Sequence, residues 1–191
     1  MKNLKMSLSK KLLRNNFSFS KVDFLAGDAS NRKYFRVHSN NRCDVLMYDN
    51  SYEKGVENFI TKTEIFKKCK LNVPRIYQKF ISDGILIMED FGDNKYSKIL
   101  NKKNEEELYF LALDCLIFLH NSESKFDLEI YDKTKLFNEV NLFFEWFLPF
   151  NRKSISKKEK IKILNLLNKL FDIFKIFENV LVHRDYHVDN L

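Results

Sequence analysis

The chain has 191 residues, 45% of them hydrophobic, and a formal net charge of +7, enough material for one ordinary domain or two small lobes sharing an interface. No run of about 18 uncharged apolar residues occurs, and residues 1–19 mix Lys, Asn and Ser among the leucines, which argues against a secretion signal or a membrane partner. Cys43, Cys69 and Cys115 are odd in number, widely spaced and form no C-x-x-C pair, so neither a disulfide framework nor a zinc knuckle is indicated and a reducing cytoplasm fits best.

The basic residues are dispersed among acids, as in Lys157-Lys158-Glu159 and in Lys102-Lys103 beside Glu105, which is the pattern of a solvated helix face. No nucleic-acid partner is expected from it. With only four glycines and two prolines in the chain, each is read as a boundary. Val22–Leu25, the turn Gly27-Asp28-Ala29-Ser30-Asn31 and Tyr34–Val37 read as strand, tight polar turn, strand, and Cys43–Tyr48 as a third strand. Apolar residues at Val56, Phe59, Ile60, Ile65, Phe66 and Cys69 predict a helix over Tyr52–Leu71, closed by Pro74. Arg75–Ile81 and Ile85–Met88, separated by Ser82-Asp83-Gly84, predict a hairpin.

After the acidic segment Glu89-Asp90-Phe91-Gly92-Asp93 the pattern changes to long helices, which predicts a lobe boundary near residue 90. Asn104 with Glu107 resembles a capping arrangement, and Leu108, Leu111, Ala112, Cys115 and Leu119 then fall on one face of a helix whose other sides are also apolar, so that helix is expected to be centrally buried. A further helix is expected over Leu136–Phe147, ending before Pro149. Another opens with the box Ser156 to Glu159 and runs through Ile163, Leu167, Leu170, Phe174 and Phe177.

The final segment reads His183-Arg184-Asp185-Tyr186-His187-Val188-Asp189-Asn190 after the apolar run Val180–Val182. H-R-D-x-x-x-x-N is the catalytic-loop pattern of kinases. The spacing has a chemical reason: Asp185 accepts the proton of the attacking hydroxyl, Asn190 returns five residues later to bind Mg²⁺ at the ATP phosphates, and His183 braces the loop. The alternation of His183 and His187 with Asp185 and Asp189 also offers metal ligands to a hydrolase, but His38 and His120, the remaining histidines, stand in unrelated contexts.

The order of parts, strands with a helix after the third, an acidic hinge, helices and then this loop, resembles the aminoglycoside-phosphotransferase superfamily, which includes choline and homoserine kinases. Within it, Leu25 to Val37, Ile87 to Asp93, Tyr131-Asp132, Glu139, Trp146 and Val182 to His187 are similar to the anomeric N-acetylmuramate/N-acetylglucosamine kinases of cell-wall recycling. The resemblance implies an α+β, two-lobed, protein-kinase-like fold: residues 1–90 an ATP-binding lobe with a five-stranded antiparallel sheet, and residues 91–191 the hinge and an incomplete helical lobe. It implies transfer of the ATP γ-phosphate to an amino sugar's anomeric hydroxyl, with Glu139 and Trp146 at the sugar. Trp146 among phenylalanines is otherwise a core residue, and Glu139 a solvated one. An aminoglycoside or choline acceptor, or a nucleotide-binding pseudokinase, are the alternatives.

Phosphate contact is expected at Gly27, Asp28, Ala29 and Ser30, through backbone N–H groups and the Ser30 hydroxyl. Glu89 and Phe91 are expected at adenine. The third strand lacks the lysine that kinases aim at the α- and β-phosphates, so Lys33 or Arg36 on the second strand is expected to supply that charge. A second metal ligand is expected downstream of residue 191, with the chain a fragment that is inactive alone.

Overall fold

The computed structural model describes residues 2–27, 31–39, 42–122, 126–174 and 179–191. The chain divides into two compact units, Met1–Ser124 together with Leu181–Leu191, and Lys125–Val180.

The first unit begins with a helix that the sequence pattern did not reveal, α1 (Lys2–Arg14). Leu8 and Leu12, one helical turn apart, are buried under it while Lys2 and Lys10 are exposed. The polar composition of this segment hides a stripe only two or three residues wide. Five strands follow: β1 (Lys21–Ala26), β2 (Arg32–Ser39), β3 (Arg42–Asp49), then α2 (Glu53–Lys68), then β4 (Ile76–Phe80) and β5 (Ile85–Glu89). They form one antiparallel sheet in the order β1-β2-β3-β5-β4. The β4–β5 hairpin turns through a 3₁₀ turn, Ile81–Asp83, and Gly84 at φ 73°, a left-handed conformation that suits glycine.

Alternation along the central strands supplies both faces of the sheet with a core. Leu46, Ile85 and Ile87 pack with Leu8, Leu12, Phe17, Phe35 and Val37 on the α1 face. Val45, Met47, Leu86 and Met88 pack with Val56 on the α2 face. This is why β3 and β5 read as continuous apolar runs although the sheet is antiparallel: both of their sides are covered. Buried Asp83 ties α1 to the hairpin, accepting hydrogen bonds from Arg14 and from Asn15 Nδ2 (2.7 Å), while Lys11 Nζ reaches its backbone carbonyl at 2.9 Å.

The hinge leads to a short helix, α3 (Tyr96–Ile99), and to α4 (Glu105–His120). Asn104 does not cap α4 with its side chain. Its amide turns back, accepting from the Asn101 N–H (2.8 Å) and donating to the Ile99 carbonyl (3.0 Å), because the preceding turn needs those partners. Nor is α4 central: only Ala112 and Leu119 are buried, and Tyr109, Phe110, Leu113, Ile117 and Phe118 are exposed.

In the second unit α5 (Lys133–Leu142) is capped by Asp132, which accepts from the Lys135 N–H at 3.0 Å. The expected stop before Pro149 does not occur. The helix widens into a π turn, Phe143–Phe147, and continues as α6 (Leu148–Phe150), with Pro149 in its first turn. A proline there lacks the N–H that a regular helix would return to the carbonyl four residues back, and the widened turn accommodates this loss. The expected box opens α7 (Lys157–Phe174): Ser156 N donates to Glu159 Oε2 at 2.8 Å and Glu159 N to Ser156 Oγ at 3.2 Å. Phe177 lies outside the described residues.

Candidate active site

The terminal segment is anchored at three places before its polar residues are presented. The His183 ring stacks on Phe66 of α2, with centroids 6.0 Å apart and planes at 22°, and meets the Tyr186 ring edge-on at 5.4 Å. His183 Nδ1 is buried without a hydrogen-bond partner among the described residues. The Tyr186 hydroxyl donates to the Ala112 carbonyl of α4 at 2.6 Å; burial pushes that phenol above its ordinary pKa. Further on, Tyr96 N donates to the Leu191 carbonyl (3.0 Å) and Ser97 N to the Val188 carbonyl (2.9 Å), so two first-turn N–H groups of α3, which have no partner inside that helix, hold the end of the segment.

Between these anchors Arg184 takes a left-handed backbone at φ 70°, and the exposed Asp185 follows it. Asn190 Nδ2 donates to Asp185 Oδ2 at 2.8 Å and to the Asp185 carbonyl at 3.0 Å. The other carboxylate oxygen lies 3.1 Å from His187 Nε2. The two ends of the motif therefore meet, and His187, read in the sequence only as a metal ligand for a hydrolase, contacts the Asp185 carboxylate. Among the described residues no group of three or more His, Cys, Asp or Glu could hold a metal ion. Asp185 and Asn190 offer hard oxygens of the kind Mg²⁺ takes alongside waters and phosphate.

At the other end of the sheet, Gly27 has φ 132°, and a Cβ there would lie 2.6 Å from the Arg32 carbonyl oxygen and 2.8 Å from Lys33 Cα. Only glycine fits where the chain enters the turn. Lys33 packs directly against it. Asp28, Ala29 and Ser30 lie outside the described residues. The foot of the turn is pinned to α2 by buried Asp49, which binds Arg32 Nε at 3.0 Å and accepts the Ser51 N–H at 2.8 Å. Burial alone would raise the Asp49 pKa, but the Ser51 and Arg32 bonds more than offset it and hold it below the ordinary value. Gly55 makes room for this carboxylate: a Cβ there would lie 2.1 Å from Asp49 Cγ.

The hinge is held differently from expectation. Arg36 Nε and Nη2 grip Asp90 at 2.7 and 3.2 Å, and Nη1 and Nη2 grip Asp93 at 2.7 and 3.0 Å. The guanidinium holds both carboxyls below their ordinary pKa, and they in turn push its own pKa up. Glu89 gives its backbone N–H to the Arg75 carbonyl at 2.9 Å, and the Phe91 side chain is exposed. An arginine on β2 and two aspartates around Gly92 are visible in the sequence, but their separation by 54 and 57 positions hides the pairing.

In the second unit the Tyr131 hydroxyl donates to Glu139. Trp146 is not a core residue: it is 71% exposed and lines an aromatic groove with Phe143, Phe147 and Phe150. The Phe143 and Phe147 rings stack beside it at 5.2 Å.

Residues 21–191 match the APH family, described as the phosphotransferase enzyme family. The chain belongs to that family. It is 28% identical over 172 residues to the N-acetylmuramate/N-acetylglucosamine kinase of Pseudomonas aeruginosa, covering 87% of this chain and 49% of that protein. The enzyme of the same name from Pseudomonas putida is 28% identical over 167 residues, with 87% and 49% covered. That from Neisseria meningitidis is 26% identical over 176 residues, with 89% and 52% covered. The chain thus spans about half the length of the curated relatives it matches. The phosphotransferase match includes the sheet, the hinge and the terminal loop. Among the described residues no helix is long and apolar enough to cross a membrane.

Proposed function

We propose that the chain provides the nucleotide-binding lobe and catalytic loop of an ATP-dependent kinase that phosphorylates an N-acetylated amino sugar, N-acetylmuramate or N-acetylglucosamine, at its anomeric hydroxyl. The reading is carried by the closure of Asp185 on Asn190 in the H-R-D-x-x-x-x-N segment of a chain belonging to a phosphotransferase family. Sugar specificity rests on the names of relatives at 23–28% identity and on the aromatic groove around Trp146. Residues 1–90 serve as the ATP lobe and 91–191 as the hinge and part of the helical lobe, acting in the cytoplasm in cell-wall recycling.

In this mechanism the exposed Asp185 carboxylate accepts the proton of the attacking sugar hydroxyl while the hydroxyl oxygen bonds to the γ-phosphorus, the bond from that phosphorus to the β,γ-bridging oxygen breaks, and ADP leaves. Asn190 would hold Mg²⁺ through its amide oxygen, and the ion would neutralise charge on the phosphates. His183, stacked on Phe66, holds the start of the loop to α2. The turn from Gly27 through Asp28, Ala29 and Ser30 cradles the phosphates with backbone N–H groups, and Lys33 beside Gly27 supplies the cation that β3 lacks. Phe91 and Glu89 border adenine. Trp146 offers an apolar platform and Glu139 a hydrogen-bond acceptor to the sugar.

The test is ATP-dependent phosphorylation measured with N-acetylmuramate, N-acetylglucosamine, an aminoglycoside and choline, for the 191-residue chain and for any longer product of its gene. A sugar 1-phosphate is the expected product. Transfer to choline or the aminoglycoside alone overturns the acceptor. ATP binding with no transfer to any acceptor supports the pseudokinase reading, which the absence of a lysine on β3 favours.

A further inference from the structure

The geometry points to Arg36 as a positioning residue, a latch that fixes the terminal loop relative to the sheet, with no phosphate contact of its own. The kinase reading enters only in calling residues 183–191 a catalytic loop. Four guanidinium hydrogen bonds go to two carboxylates, each gripped by two nitrogens, and the side chain is 21% exposed. That fork is consumed by the hinge, leaving little of its donor capacity for another anion.

The position of the two acceptors gives the pairing its consequence. Asp90 and Asp93 bracket Gly92, whose N–H also donates to Asp90 Oδ1 at 2.8 Å. Three residues beyond Asp93, α3 begins, and its Tyr96 and Ser97 N–H groups hold the Leu191 and Val188 carbonyls on either side of Asn190. Lys98 of the same helix lies 3.7 Å from Asp93. A continuous path therefore runs from β2 through Arg36, Asp93 and α3 to Asn190, and from Asn190 to Asp185. Without the guanidinium, two neighbouring carboxylates would be left facing each other, one of them largely buried, and the hinge would relax to separate them. A lysine keeps the charge but its ammonium cannot grip four oxygens in one plane.

Backbone hydrogen exchange on the 191-residue chain, without ATP or sugar, tests the latch independently of any activity. Two variants are compared, Arg36→Lys and Asp93→Asn, the second leaving the Arg36 to Asp90 pair in place. The expected result is exchange about tenfold faster at the Tyr96, Ser97 and Asn190 amides, with the sheet amides of Leu46 and Ile87 unchanged. Faster exchange at Gly92 alone overturns the proposal, because it makes the pairing local to the hinge. If Arg36→Lys also loosens Leu46 and Ile87, Asp93→Asn decides: unchanged exchange at Ser97 and Asn190 in that variant overturns it. A kinase assay that fails on sugars leaves these exchange rates as they are, so the two readings fail separately.

Discussion

Asn190 Nδ2 donates to both Asp185 Oδ2 and the Asp185 carbonyl, at 2.8 and 3.0 Å, so one amide group fixes the side chain and the backbone of the residue five positions before it. In the proposed mechanism Asn190 would hold a metal ion through its oxygen while its nitrogen aims the carboxylate. In a catalytically active, longer product of the gene, Asp185→Asn should leave ATP binding nearly unchanged and lower phosphate transfer by about a hundredfold or more. Isothermal titration with Mg²⁺-ATP beside a steady-state assay checks this, and near-normal turnover would remove Asp185 from the mechanism.

Leu12 is fully buried beneath α1 in the core that includes Phe35 and Ile87. Leu12→Ala should therefore cost about 2–5 kcal/mol of stability, the range for emptying a buried leucine site. Urea unfolding followed by circular dichroism reads the loss. A cost under about 0.5 kcal/mol would mean that α1 is not docked on the sheet in solution.

The same helix carries a pH dependence. Burial alone would raise the Asp83 pKa, but Arg14 and Asn15 more than offset this and hold it below its ordinary 3.8. A depressed folded pKa contributes stability that is present above about 3.9, the unfolded value, and is lost as pH falls through the folded one. Stability of the protein should fall below about pH 4. Asp83→Asn should be less stable at neutral pH and show a flatter acid limb, and parallel limbs in urea midpoints from pH 2 to 7 would count against the Asp83 contribution.

Tyr109, Phe110, Leu113, Ile117 and Phe118 leave α4 with apolar residues on its exposed sides. The 191-residue chain should self-associate as its concentration rises. Leu113→Glu with Ile117→Lys places an acid one turn before a base and should keep the chain monomeric. Light scattering across a concentration series distinguishes the two proteins, and equal association of both would place the sticky surface elsewhere.

The legible parts of the sequence were those in which one local pattern determines the outcome. β3 and β5 were found because both faces are apolar, the Gly84 turn because only glycine tolerates its backbone, and the Ser156 box because its partners are three residues apart. The H-R-D-x-x-x-x-N segment was legible for the same reason. What escaped depends on partners far along the chain. The Leu8 and Leu12 stripe is too narrow to stand out among lysines, and Asn104 looked like a cap until Ile99 and Asn101 claimed its amide. The sequence leaves Arg36 beside Lys33 as a source of charge for the phosphates, because its partners Asp90 and Asp93 stand 54 and 57 positions away and spacing does not assign them to it.

Gly55 sits on α2, well separated in sequence from the turn that follows Gly27, yet its missing side chain is what lets Asp49 hold Arg32 at the foot of that turn. Any larger residue would evict the carboxylate and release the arginine. In a random-mutagenesis screen, substitutions at this helix position would therefore group with substitutions of Asp49 and Arg32 themselves, although they fall on a different element from either.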